Sequence, residues 1–155
     1  MKKNLISRKD IPTLVRRLKR IGQRIVFTNG VFDIIHRGHV QYLTKAKSYG
    51  DVLVVGINSD ASVRRLKGKS RPLQSQSDRT FILLALRSVD YVVIFGEDTP
   101  AKLIRSVRPD VLVKGADYST SEIVGAEFVK SIGGKVRRVK LTPGRSTSKI
   151  LKKLR

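Results

Sequence analysis

The sequence has no cysteine and no tryptophan, a single methionine, only two histidines, and 12 acidic residues against 33 lysines and arginines. Each scarcity excludes something. Without cysteine there is neither a disulfide framework nor a thiolate metal site, which fits a reducing compartment. No window approaches the roughly 18 apolar residues of a membrane span, and the start "MKKNLISRKDIPTL" carries charge but no apolar stretch long enough for a signal peptide. We therefore expect a soluble, cytoplasmic protein with no membrane partner. A chain of 155 residues is of ordinary single-domain size, able to bury roughly 70% of its unfolded surface in one core.

The shortage of acid is uneven. Residues 1 to 24 hold nine Lys or Arg and one acid, Asp10; residues 128 to 155 hold ten and none; the centre, 25 to 127, has 14 basic and 11 acidic residues. The formal charge of +21 thus sits at the two ends. Basic ends could grip RNA, hold an anionic substrate or form a solvated surface. The aromatic interleaving that stacking on single strands requires is missing, so nucleic acid is not the expected partner.

Apolar runs recur at 25 to 28 "IVFT", 52 to 57 "VLVVGI", 91 to 95 "YVVIF", 111 to 113 "VLV" and 136 to 141 "VRRVKL", which predict five strands. Between them lie segments with helical spacing: "GHVQYLTKAKSYG", with Val40, Leu43 and Ala46 facing inward; "SDRTFILLALRSV", with Asp78 near its start; "TPAKLIRSV", with Thr99 as N-cap and Pro100 at the first helical position; and "SEIVGAEFVKSIGG", ended by Gly133. Alternation of strand and helix predicts an α/β fold, a Rossmann-like doubly wound sheet of about five parallel strands with helices on both faces. The leading "KDIPTLVRRLKRIG" predicts one more helix, giving an N-terminal helical extension over 1–23 before a main domain over 24–155. The stretch "KGKSRPLQSQS", 67 to 77, reads as a mobile loop.

Ligands of such sheets bind beyond the carboxyl ends of the strands, where a glycine turn and a helix N-terminus expose N–H groups. Gly30 ends the first strand, and "VFDIIHRGH" leads into the next helix with both histidines of the chain, His36 and His39. Two familiar phosphate motifs fail: "GKS" at 68 to 70 has Val63 where a P-loop needs glycine, and no G-x-G-x-x-G occurs. Two imidazoles three positions apart share a helical face, and Gly38 between them has no Cβ to block a phosphate. Both could donate to one polyphosphate, which suits nucleotidyl transfer. A metal triad of Asp33, His36 and His39, or two histidines satisfied locally, are the alternatives.

"GVFDIIHRGH" resembles the G-x-F-D-x-x-H-x-G-H signature of the cytidylyltransferase-like nucleotidyltransferase superfamily, and "GRSTSKI", 144 to 150, resembles its second signature. Within that superfamily, "TNGVFDIIHRGHVQYL", "NSDASVRRLKGKSRPL", "EDTP" and "PDVLVKGADY" are similar to the adenylyltransferase half of bifunctional heptose kinase/adenylyltransferases, over roughly residues 20 to 154. The resemblance implies an enzyme that joins ATP, with Mg²⁺, to D-glycero-D-manno-heptose 1-phosphate, releasing pyrophosphate and making ADP-heptose for lipopolysaccharide or other surface glycans. A separate heptose kinase would supply the sugar 1-phosphate, and a homodimer is expected. A cytidylyltransferase acting on glycerol 3-phosphate or a similar small phosphate is the enzymatic alternative, and an RNA-binding protein the non-enzymatic one.

The resemblance also implies roles. His36 and His39 contact the nucleotide phosphates as the catalytic pair, and Lys67 or Lys69 supplies a basic catalytic residue from the loop, with Arg79 near enough in sequence to help bind nucleotide. Asn29, Gly30, Val31, Phe32 and Gly38 form the nucleotide-binding turn, with Asp33 anchoring it on the substrate side. Gly115 and Asp117 stand on the ligand edge, although Asp117 could instead cap the next turn. Ser146, Thr147 and Ser148 meet the β- and γ-phosphates. Two positions depart from the common pattern: Val31 offers only its N–H where several relatives have threonine, and Ser148 keeps a hydroxyl but lacks a methyl.

Overall fold

Five short strands, four of them mostly apolar and the last mixed with lysine and arginine, satisfy their backbones by pairing with one another, and they do so in parallel. The computed structural model describes residues 4–144 and 146–154; Lys2 and Lys3 of the basic N-terminal end, Arg145 of the second signature and Arg155 lie outside the described residues. Strands β1 (Ile25–Gly30), β2 (Val52–Asn58), β3 (Tyr91–Phe95), β4 (Val111–Gly115) and β5 (Lys135–Val139) form one sheet in the order β3-β2-β1-β4-β5. All four pairings are parallel, for example Ile25 beside Val52 and Val26 beside Val111. The chain winds outward from β1 to β3, then returns to the other side of β1 for β4, so the winding reverses between β1 and β4. That crevice is where an open α/β sheet accepts a ligand.

Strand residues alternate between two cores, one per face. Ile25, Phe27, Val52, Val54, Val93, Phe95 and Leu112 pack on one face against α1 (Ile11–Arg20), α5 (Ala101–Val107) and α6 (Ala126–Ser131). Val26, Leu53, Val55, Ile57, Val92, Val111 and Val113 pack on the other against α2 (Arg37–Lys47) and α4 (Gln76–Leu84). Burial on both faces is why these strands read as unbroken apolar runs. In α1, Ile11, Leu14, Val15 and Leu18 recur at the spacing of one helical stripe, and all four join the first core. The leading helix therefore shares its core with the sheet.

Gly56 marks a closely packed point of that first face. A Cβ there would stand 2.9 Å from both Leu103 Cδ2 and Phe27 Cζ. Gly56→Ala is expected to destabilise by about 1–3 kcal/mol through overpacking, read as a lower urea midpoint at unchanged slope. An unchanged midpoint would show that Phe27 and Leu103 can move aside.

Several boundaries differ from the sequence-based expectation, each for a local reason. In α2, Tyr42 replaces Val40 on the buried face: Val40 is 37% exposed, while the Tyr42 hydroxyl shares a hydrogen bond with Thr28 Oγ1 at 2.8 Å and donates to the Val113 carbonyl at 3.2 Å. Helix α5 starts one residue late, with Pro100 rather than Thr99 at its N-cap. The run 121 to 134 is split, because Gly125 at φ 84 separates a 3-10 turn, Thr120–Glu122, from α6. Helix α3 (Asp60–Lys67) was not foreseen; Ser59 caps it by accepting from the Ser62 N–H, and Val63 is its one buried apolar residue. The last helix is α7 (Thr147–Lys153). At the outer edge of β3, Leu5 bridges to Val92 and the Ile6 N–H donates to the Val92 carbonyl at 2.9 Å.

Candidate active site

The turn after β1 is tightly determined. Phe32 adopts φ 50, a left-handed conformation that is uncommon outside glycine, and its ring folds back so that a Cβ on Gly30 would lie 2.9 Å from it. The same ring meets His39 edge-on, with centroids 5.3 Å apart. His36 occupies the N-cap of α2 in extended conformation, so it precedes the helix instead of sharing a face of it with His39. The two imidazoles nevertheless stack, with centroids 3.9 Å apart and planes 24° from parallel. Burial pushes the His39 pKa down to about 4, repulsion from His36 adds to this, and the Ile34 carbonyl opposes both. His39 is therefore neutral at pH 7 and acts as a hydrogen-bonding group, not as a fixed charge.

Asp33 is 2% exposed. Its carboxylate accepts from the N–H groups of Leu73 and Gln74, both at 2.9 Å, and from Arg71 Nε at 2.7 Å. Burial alone would raise its pKa; the Gln74 and Leu73 N–H groups and Arg71 outweigh it, and the net shift is downward. This clamp corrects two expectations. The segment 67 to 77 is pinned at its centre instead of being loose, and an Asp33 carboxylate so engaged is not available to complete a metal triad with the histidines.

Arg79 supports the same turn from below. Its guanidinium is fully buried and donates to the carbonyls of Val31 at 2.7 Å and Gln74 at 3.2 Å and to Asp60 Oδ1 at 2.7 Å. It braces the walls of the site and does not reach the ligand edge expected for it.

On the β4 side, Gly115 and Asp117 face the crevice, and the cap of the following 3-10 turn is Ser119 with Glu122, leaving Asp117 exposed on the site. At α7, Ser146 Oγ accepts from the Lys149 N–H as the N-cap, and Thr147 Oγ1 donates to the Ile34 carbonyl at 3.4 Å, tying the second signature to the first. Those two hydroxyls hold α7 in place, and both residues line the cavity together with Ser148.

These groups enclose one cavity of about 460 Å³ at the β1/β4 crevice. Asn29, Gly30, Val31, Phe32, Asp33, His36, Gly38 and His39 line it from the first signature, Gly115 and Asp117 from the end of β4, Ser146, Thr147 and Ser148 from the second signature, and Lys67 from the end of α3. Lys69 and Arg79 do not line it. Arg71, Asp98 and Lys114 line it without having been singled out in the sequence. For Lys114 a signal was present: it is a lone charge in the otherwise apolar strand "VLVKG".

Comparison with known proteins places this geometry. Residues 27–153 match the family model described as Cytidylyltransferase-like. The Bifunctional protein HldE of Wolinella succinogenes is 54% identical over 150 residues, covering 97% of this chain and 31% of that protein. HldE of Geobacter metallireducens is 59% identical over 136 residues, 88% of this chain and 28% of that one. The chain thus spans about three tenths of the length of these curated relatives. Among solved structures, the lipopolysaccharide core biosynthesis protein of Thermoplasma volcanium GSS1 is 32% identical with a TM-score of 0.62, covering 78% of this chain and 98% of that one. Pantoate-beta-alanine ligase of Francisella tularensis, 20% identical with a TM-score of 0.66 over 93% of this chain and 69% of that one, shares the fold. With a family model covering residues 27–153 and both signature segments meeting at one cavity, the chain belongs to the cytidylyltransferase-like family and is a nucleotidyltransferase.

Proposed function

We propose that the chain transfers the adenylyl group of Mg²⁺-ATP to D-glycero-D-manno-heptose 1-phosphate, forming ADP-heptose and pyrophosphate in the cytoplasm for surface-glycan synthesis. The observation that carries the chemistry is the stacked His36–His39 pair at the start of α2, opening on the β1/β4 cavity. Support for the substrates comes from the HldE proteins and from the lipopolysaccharide core biosynthesis protein, to which the chain is similar. The 1-phosphate is supplied by a kinase activity outside the residues described.

An oxygen of the sugar phosphate attacks the α-phosphorus of ATP in line, a new P–O bond forms, and the bond to the β-phosphate oxygen breaks to release pyrophosphate. The nucleophile is already anionic, so no general base is needed; the task is positioning and stabilisation of growing charge. Mg²⁺ bound with the nucleotide would supply neutralisation of phosphate charge. His36 and His39 donate to phosphate oxygens together with the N–H groups around Gly38, and Lys67, which lines the same cavity, brings a cation. The apolar rim, Leu66 and Leu141, each 50% exposed, suits a flat base.

A pyrophosphate-release assay over ATP or CTP with heptose 1-phosphate or glycerol 3-phosphate tests the assignment. ATP with the heptose should dominate, with little release from CTP with glycerol 3-phosphate. The reverse would keep the nucleotidyltransferase and remove the heptose.

A further inference from the structure

Lys114 is the penultimate residue of β4, after three fully buried valine and leucine positions, at the β1/β4 crevice. Its part-buried side chain lines the cavity, and its ammonium donates, among the described residues, only to the Asn29 carbonyl, at a long 3.3 Å, and lies 5.6 Å from the Tyr118 ring centre. Among the described residues no carboxylate stands within ion-pair distance of it. A cation drawn out of water without a counterion is costly, and an apolar residue would continue the strand more favourably. A second unmatched group sits beside it: Asn29 Oδ1 on β1 is buried with no hydrogen-bond partner among the described residues, and Asn29 lines the same cavity. A cation without an anion and an acceptor without a donor, side by side, complement a ligand that carries both an anionic oxygen and a hydroxyl or amino group.

We propose that the Lys114 ammonium binds an anionic phosphoryl oxygen of a bound substrate from the β4 side of the cavity that the histidine pair also lines. This rests on the phosphate-bearing substrates of the proposed reaction; the oxygen belongs either to the nucleotide or to the acceptor. Burial lowers the Lys114 pKa to about 8 against the pull of Asp117, so the free enzyme loses this charge as pH rises through 8. The other titratable groups facing this corner are Tyr118 and Tyr42; burial, with Asp117 and Tyr118 adding to it, pushes the Tyr42 hydroxyl up and keeps it neutral.

Lys114→Met and Lys114→Arg distinguish the sources. Calorimetric affinity for Mg²⁺-ATP and for the acceptor is measured separately, the acceptor being whichever of heptose 1-phosphate and glycerol 3-phosphate releases pyrophosphate with the wild type. Lys114→Met is expected to weaken one of the two by at least about ten-fold, which names the source, and Lys114→Arg to recover part of it. The alkaline fall in kcat/KM near pH 8 should be lost in Lys114→Met, and that variant should melt no lower than the wild type, because it removes a desolvated charge. Affinities within two-fold of wild type with the alkaline fall retained would overturn the proposal, as would a lowered melting temperature with losses that arginine does not recover. If the wild type turns over neither acceptor, the substrate assignment fails on its own, and the Mg²⁺-ATP arm decides the role of Lys114: a ten-fold loss sustains it and no loss overturns it.

Discussion

Alanine at His36 or at His39 is expected to lower kcat by about 100-fold or more, with a much smaller change in nucleotide affinity. The reasoning lies in when charge develops. The triphosphate is anionic before and after binding, and many N–H groups at the start of α2 can hold it; what grows during transfer is charge on the oxygens around the α-phosphorus and on the leaving pyrophosphate. Donors already fixed in place, as the stacked pair is by Phe32 and the N-cap geometry, act on that increment without rearranging. Because the His39 pKa lies near 4 in the free protein, its ring should titrate neutral in NMR spectra from pH 8 down to about 5, and its pKa should rise when Mg²⁺-ATP places anionic charge beside it. The sign for stability is the reverse of a paired histidine: the unfolded ring binds its proton near 6.5, so the contribution of a neutral buried His39 is present above that pH and is lost as pH falls toward 4. Near-normal turnover in either alanine variant, with an unchanged circular dichroism spectrum, would remove that histidine from the mechanism.

Arg79→Met should be the most destabilising single change in the walls of the site, by about 3–5 kcal/mol. Methionine fills a similar volume, but it leaves the Val31 and Gln74 carbonyls and the Asp60 carboxylate without their donor, and Asp60 is only 25% exposed at its side chain. Those three partners lie on the turn after β1, the segment before α4 and the first residue of α3, so one guanidinium joins three stretches, of which only the first two are also tied together by the Asp33 clamp. Lysine would not substitute, since a single ammonium cannot serve three directions in a plane. Activity should fall with stability because the turn bearing Val31 and Phe32 loses its brace. Urea denaturation reads the first effect; a loss below 1 kcal/mol would mean that the three acceptors find other donors.

Most of the fold was legible because its signals are local or periodic. "YVVIF" is β3 to the residue, and "IVFT" and "VLVVGI" lie within β1 and β2. β4 was predicted too short because Lys114 and Gly115 carry no apolar signal, yet they pair with Arg138 and Val139 of the neighbouring strand. Helix α3 was hidden because its fixation comes from Ser59, Asn58 and Ser62 hydrogen bonds and from a single valine, not from an apolar stripe. In the site, the two signatures picked out residues that line one cavity, since glycine, histidine and hydroxyl spacing is visible in one dimension. What Arg79 and Asp33 do was not visible, because, apart from the Arg79 bond to the Gln74 carbonyl, they act on groups 19 to 48 residues away in sequence. Lys69 is off the cavity and Lys67 on it because α3 ends at Lys67 and Gly68 turns the chain away at φ 96.

The two borders of the sheet have a consequence for solubility. At β3 the chain covers its own border with Leu5 and Ile6, whose bridge to Val92 takes up hydrogen-bonding positions that a foreign strand would use. At β5 no strand among the described residues covers the border, but Lys135, Arg137 and Arg138 are exposed along it. A second copy approaching to pair strand with strand would set guanidinium against guanidinium across the new ladder, which disfavours the pairing. Part of the cationic surplus at the C-terminal end thus lies along the one sheet border that no described strand covers, where it opposes edge-to-edge pairing of copies.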